Sequence, residues 1–323
     1  MPIESALLNF PRQLAYSPVV LNADRLTRHD KFIVCGLGGS ALPAGLVKIA
    51  NPYLDLLLHR DYGLPRVPDY FLRGALLIFS SYSGNTAEII NSLNAALSAH
   101  LDVAVITSGG ALLKIADRRQ LPHIVIPDSS LPPRLALGYA TVSLLKIIGA
   151  DRELAAASAA APLLNLPSAE KRGRELAALF QNYIPIIYAS TVNLPLAYAW
   201  KTKINETAKI PSFANVFPEL NHNEMESFNP APAANSLTAP FHFIFLNDAA
   251  DSPAIKKRVS VCHRLFTDRH LPVTEETISG DNHWAKIFQS LLTADWFSLS
   301  LAKHYGADPA SVPLIEEFKK LIS

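Results

Sequence analysis

Short apolar runs alternate with stretches whose apolar residues recur at helical spacing, and this rhythm organises most of the chain. KFIVCG (31–36), LDLLLH (54–59), ALLIFS (75–80), VAVIT (103–107) and HIVIP (123–127) read as buried strands. Between them, 41–50, 85–99 and 110–119 carry the helical pattern. Such alternation predicts a parallel sheet with helices on both faces, because parallel strands need crossover connections that cover the sheet. An apolar helix over 133–149 is expected to close this unit. An alanine-rich helix then runs from Arg152 to Ala161, Pro162 and Pro167 interrupt, and a helix at 168–182 follows with Lys, Arg and Glu on its outer face. The second half repeats the rhythm more loosely. Strands are expected at 184–190, 241–247 and 272–278, helices at 194–209, 253–269, 282–304 and 311–322, and a Pro- and Asn-rich irregular region at 211–240. The fold class is therefore α/β, as two doubly wound three-layer domains. The expected boundaries are 1–152 for the first, 153–182 for a helical linker and 183–323 for the second.

Two loops change the picture from architecture to chemistry. GLGGSA (36–41) follows a strand and opens a helix. Glycines let backbone N–H groups approach an anion, and the helix N-terminus adds partial positive charge. It is neither the dinucleotide pattern, since Gly39 comes too early, nor a P-loop, since the lysine is missing. Taken alone it is a tight turn. SSYSGNTAE (80–88) again joins a strand to a helix and groups Ser81, Ser83 and Thr86 around Gly84. Taken alone this is a capping cluster. Ligands bind at the carboxyl ends of parallel strands, so two such loops after strands of one sheet point to a phosphate, whose oxygens accept from hydroxyl and amide donors. The expected binding residues are Gly38, Gly39, Ser40, Ser81, Ser83 and Thr86.

Composition narrows the class. The formal net charge of the 323 residues is +1, with 18% charged, which argues against a nucleic-acid or membrane-surface protein. The two cysteines, Cys35 and Cys262, form no metal or redox motif. The N-terminal segment has no signal-peptide pattern, and no apolar run is long enough for a span. A soluble cytoplasmic protein is expected.

GLGGSA with SYSGNT resembles the sugar isomerase (SIS) domain family. PPRLALGY (132–139), WKTKINETAKIP (200–211), FPELNHNEMESF (217–228) and LLTADWFSLSLAKHYGADP (291–309) extend the resemblance to the bifunctional phosphoglucose/phosphomannose isomerase family over nearly the whole chain. Leu37 stands where many relatives have Met. YASTVNLP (188–195) lacks the glycine-rich pattern, consistent with one phosphate site per chain. The resemblance implies a metal-independent aldose–ketose isomerase without cofactor, acting on glucose 6-phosphate and mannose 6-phosphate through a cis-enediolate.

The resemblance also assigns roles. Glu206, otherwise a solvated helical glutamate, becomes the base for the C1/C2 proton. His222 becomes the ring-opening residue, reaching the site of a neighbouring subunit in a homodimer. Arg134 faces the enediolate, where charge develops only during reaction. Lys286 falls near the position of a ring-opening lysine, and Ser279, seven residues earlier, would admit mannose 6-phosphate. Two competing readings are a SIS-domain sugar-phosphate-binding regulator without catalysis and a metal site built from Glu219, His222, Glu224 and Glu226. The first lacks a DNA-binding module, and the second sets one histidine among glutamates. No nucleic-acid or membrane partner is expected.

Overall fold

The structure, a computed structural model, describes residues 3–127 and 130–322. The chain divides into two compact units: one runs through Leu164 and includes Asp281–Ala285, and the other comprises Asn165–Gly280 and the residues from Lys286 onward.

In the first unit, α1 (Ile3–Leu8) and α2 (Pro11–Leu14) precede β1 (Lys31–Cys35). There follow α3 (Leu42–Ala50), β2 (Asp55–His59), α4 (Asp69–Arg73), β3 (Ala75–Ser81), α5 (Ala87–Ser98), β4 (Val103–Thr107), α6 (Gly110–Arg119), β5 (His123–Val125), α7 (Leu137–Ile147) and α8 (Asp151–Ala159). The sheet order is β2-β1-β3-β4-β5, with every pairing parallel. All seven residues of the central β3 are buried, which explains its unbroken apolar run. Ile33, Leu77, Phe79 and Val105 meet Ile89, Leu93 and Leu112 of the covering helices in one core cluster. The edge strand β2 is only partly buried, a correction to its reading as a buried strand: an edge has a neighbour on one side only.

The second unit contains α9 (Leu166–Leu179), β6 (Ile184–Ser190), α10 (Leu194–Lys203), β7 (Phe213–Phe217), β8 (Phe241–Asp248), α11 (Pro253–Thr267), β9 (Val273–Ile278), α12 (His283–Tyr305) and α13 (Pro313–Ile322). Its order, β7-β6-β8-β9, is again all parallel. On one face, α9, α10 and α12 pack together: a Cβ on Gly173 of α9 would stand 2.5 Å from the Trp296 Cβ of α12. On the other face, Tyr188, Phe243 and Phe245 pack against Cys262 and Phe266 of α11 and against Leu220 and Phe228 from the connection between β7 and β8.

Four elements differ from their sequence reading. The irregular region at 211–240 contains β7, an edge strand of five residues whose Ala and Asn break the apolar run. The helix expected from 133 starts as a 3-10 turn at Pro133–Leu135 before α7. Pro167 opens α9 rather than interrupting, because proline fits the first helical turn; Asn165 caps it by accepting from Ser168 N at 3.0 Å. The helix expected over 194–209 leaves α geometry after Lys203 and continues as a π-helical turn, Ile204–Ala208. Within the stretch 153–182, α8 packs on α7 of the first unit and α9 belongs to the second. Among the described residues, no helix is long and apolar enough to cross a membrane.

Candidate active site

In the first sheet the chain leaves β1 for β2 on one side and then crosses to β3 on the other. The crevice beyond the carboxyl ends of β1 and β3 is therefore its topological switch point, the default ligand site of such sheets. Both loops singled out from the sequence lie there. The first forms a 3-10 turn at Gly38–Ser40 before α3, with Gly38 at φ +51°. The second ends at the N-terminus of α5. A bond joins them: Ser40 Oγ accepts from Tyr82 N at 3.0 Å, which leaves the Ser40 O–H to donate. Ser81 is buried and keeps the second loop in shape, accepting from Gly84 N at 3.2 Å and sharing a hydrogen bond with Thr86 Oγ1 at 2.8 Å. Ser83 is exposed on the loop and accepts from Asn85 N at 3.3 Å.

Sequence reasoning missed a third loop, Ser108–Gly110 after β4. Ser108 Oγ donates to Tyr82 O at 2.6 Å, and Leu112 N to Gly84 O at 2.8 Å. The approach is so close that a Cβ on Gly84 would stand 1.8 Å from Gly109 O, and Gly84 itself lies at φ +68°. The available signal was TSGG directly between a strand and a helix.

Arg134 is brought to the same loops. A Cβ on Gly39 would stand 2.9 Å from Pro133 C and 3.0 Å from Arg134 N, so this glycine is what lets the PPR segment lie against the first loop. Arg134 is buried. A second residue missed from sequence, the buried Gln13, clamps the segment that follows: its Nε2 donates to Leu135 O at 2.8 Å and its Oε1 accepts from Gly138 N at 3.0 Å.

In the second unit, Glu206 lies half-buried in the π turn that prolongs α10. Leu196, Trp200 and Ile204, the expected apolar stripe, are fully buried. Lys209, at φ +60°, ends the turn; its ammonium donates to Glu206 O and, at 2.7 Å, to Ser311 O. Single π turns are frequent at functional sites. His222 is exposed at the end of the 3-10 turn Glu219–His222, which follows the carboxyl end of β7. Glu206 precedes the start of β7 on the α10 face, whereas the His222 turn packs on the α11 face. In the chain, Glu206 therefore precedes the amino end of β7 and His222 follows its carboxyl end.

Ser279 is exposed directly after β9, and Lys286 lies in the first turn of α12, both at the carboxyl edge of the second sheet. Lys286 Nζ donates to Asp248 Oδ2 at 2.7 Å, and Asn193 Nδ2 donates to the same oxygen at 3.1 Å. Burial opposes charge on Asp248, but these bonds and one from Ala250 N prevail and hold its carboxyl below the ordinary value. Asp251 is raised, chiefly by burial. Removing the Lys286 ammonium would strand a buried carboxylate, a loss of roughly 3–5 kcal/mol. Glu224 accepts from the Tyr188 hydroxyl at 2.5 Å and from Asn215, fastening the 219–228 turns to the sheet; burial and that bond raise the Tyr188 pKa. Among the described residues, no group of three or more His, Cys, Asp and Glu side chains forms a metal-holding set.

Residues 169–322 match the model of the bacterial phospho-glucose isomerase C-terminal SIS domain. A bifunctional phosphoglucose/phosphomannose isomerase from Thermoplasma volcanium is 30% identical over 301 residues, covering 93% of each chain. The chain belongs to this isomerase family. A second bifunctional phosphoglucose/phosphomannose isomerase, from Aquifex aeolicus, is 29% identical over 305 residues and 92% of each chain. The fold is shared with the Escherichia coli tagatose-6-phosphate ketose/aldose isomerase, at a TM-score of 0.67 and 16% identity, covering 95% of this chain and 93% of that one. For the family member described here, the 36–41 and 80–88 loops and Arg134 are residues of the first unit, and Glu206, His222, Ser279 and Lys286 of the second.

Proposed function

We propose that this chain is an aldose–ketose isomerase that interconverts glucose 6-phosphate and mannose 6-phosphate with fructose 6-phosphate. The observation that carries this reading is the convergence of the 36–41, 80–88 and Arg134 segments at one switch point, in a chain matched by bifunctional isomerases along its length. The sensor reading has no counterpart among these relatives.

In this mechanism the phosphate is held by the backbone and hydroxyl donors of the loops, with Gly38, Gly39, Ser40, Ser83 and Thr86 facing it and Ser81 keeping their shape. His222 assists ring opening. The Glu206 carboxylate takes the C2 proton of the open aldose and returns it to C1, while the O2 hydroxyl proton passes to O1, giving the ketose. Arg134 offsets the charge of the enediolate between those steps, an interaction strongest when the intermediate forms. Both aldoses give one enediolate if the open chain can rotate about C2–C3, and Ser279, small where a glutamine would take the room near C3, is assigned to this dual use. Lys286 is assigned to holding Asp248, because its ammonium is already engaged there. In this reading His222 is supplied by the neighbouring subunit of a homodimer, as the resemblance implies.

The test is a coupled assay for fructose 6-phosphate with both sugars in parallel, without added metal, in wild type and Glu206→Gln. Both sugars are expected to react and to compete with each other. The variant should lose about 10²–10⁴-fold in rate and cease to incorporate solvent deuterium at the product carbon. A Gln variant that still exchanges deuterium removes Glu206 from the mechanism. Absence of any reaction with mannose 6-phosphate removes the dual specificity.

A further inference from the structure

One titratable pair has no place in that mechanism. Lys203, the last residue of α10, places its Nζ 2.6 Å from Asp295 Oδ1 in the middle of α12, and the two side chains are only 1% and 4% exposed. One turn earlier on the same face of α10, Trp200 Nε1 donates to Ser290 Oγ of α12 at 3.0 Å, also buried. Two polar contacts three residues apart therefore fix the rotation and the height of α10 on α12.

A buried ion pair is a poor source of net stability. Desolvating both charges largely cancels their attraction, and well-packed apolar replacements are often neutral or stabilising. What such a pair supplies is geometry, since an ammonium and a carboxylate tolerate little displacement once water is excluded. The geometry at stake is next in sequence: the π turn begins at Ile204, immediately after Lys203, and carries Glu206. A π turn holds one residue more than an α turn, so the direction of every side chain on it depends on how the preceding helix is seated. The far end of the turn is tied by Lys209 to Glu206 O and to Ser311 O. Ile204–Ala208 is thus an irregular turn held at both ends by lysines, one buried and one exposed.

We infer that the Lys203–Asp295 pair positions Glu206, fixing the turn from which its carboxylate reaches the sugar. This rests on the reading of Glu206 as the base. Neither Lys203 nor Asp295 is a catalytic residue; both act through the backbone of the turn. A displacement of about 1 Å at a reacting group can lower the rate on the order of 10²-fold, whereas the phosphate loops of the first unit are untouched by a change here.

The experiment compares Asp295→Asn, Asp295→Glu and the double variant Lys203→Met/Asp295→Leu with wild type and Glu206→Gln. The double variant removes both charges, so its melting temperature should stay at or above that of wild type. Its kcat is expected to fall at least about tenfold with little change in KM, and solvent deuterium incorporation should slow in step with kcat. Asp295→Glu, which keeps the ion pair, should retain more kcat than Asp295→Asn. A stable double variant with wild-type kcat overturns the inference, as does a loss of kcat that merely tracks the unfolded fraction in every variant. Full activity in Glu206→Gln would instead remove the reading of the base on which the inference rests, a separate outcome of the same series.

Discussion

Gln13 shows how far along the chain the geometry around Arg134 is set. It lies on the short helix α2, more than 120 residues from the segment it holds, and is nearly fully buried with one bond to Leu135 O and one from Gly138 N. Those two bonds bracket the end of the 3-10 turn that carries Arg134. Gln13→Ala would leave a buried carbonyl and a buried amide without their partner, a loss of roughly 1–3 kcal/mol for each group left unsatisfied. The expected outcome is a lowered melting temperature together with a fall in kcat larger than any rise in KM. Unchanged kcat in a destabilised variant would confine Gln13 to the stability of the first unit. Nothing in the local sequence FPRQLA marks this residue, because a buried glutamine is recognised only by what it faces. Arg134, by contrast, was singled out, though by resemblance: the two preceding prolines alone fit an ordinary helix-start arginine equally well.

At the scale of elements, the strands of the first sheet were legible because central parallel strands are apolar on both faces, and β3 is the extreme case. The edge strand β7 was not, since Phe213 and Asn215 face surroundings that demand no apolar run. The π turn was also invisible: NETAK carries ordinary helical propensity, and the contacts at its two ends, to Asp295 and Ser311, are distant in sequence. His222 and Glu206 were singled out by resemblance alone, because a turn glutamate and a loop histidine carry no signal of their own in the sequence. The strand β8 carries a further consequence at its start. His242 is stacked on Phe180, with ring centroids 3.8 Å apart, and burial lowers its pKa from the ordinary 6.5 to about 4. Its neutral form belongs to the folded state, so the unfolded chain binds the extra proton between those two values. The corresponding stability is complete above pH 6.5 and is lost progressively as pH falls toward about 4. A melting temperature measured from pH 7.5 to pH 4.5 should decline more steeply in wild type than in His242→Phe, which cannot titrate. Parallel curves would show that another group governs the acid limb.

At the scale of the whole molecule, the proposed roles of Glu206 and His222 make a prediction about assembly. If each active site takes its base from one chain and its histidine from another, two inactive variants can rescue each other. Co-expression of Glu206→Gln with His222→Gln should yield hybrid dimers containing one intact site, with activity approaching about a quarter of wild type when subunits mix at random. Activity no greater than the sum of the separate variants would place both residues in the same chain's site. The two sheets also invite comparison with each other. The second repeats the order of the first four strands of the first, and so each has a crevice at its switch point. In the second, Lys286 reaches over the end of β8 to Asp248, with Asn193 alongside: an ammonium supplied by the fold itself sits where a visiting anion would need bare amides and glycine. If sugar phosphate binds at the first crevice as proposed, the tightening it brings should fall on the glycine-bearing loops there, whereas the end of β8 is already tied down by the fold's own ammonium.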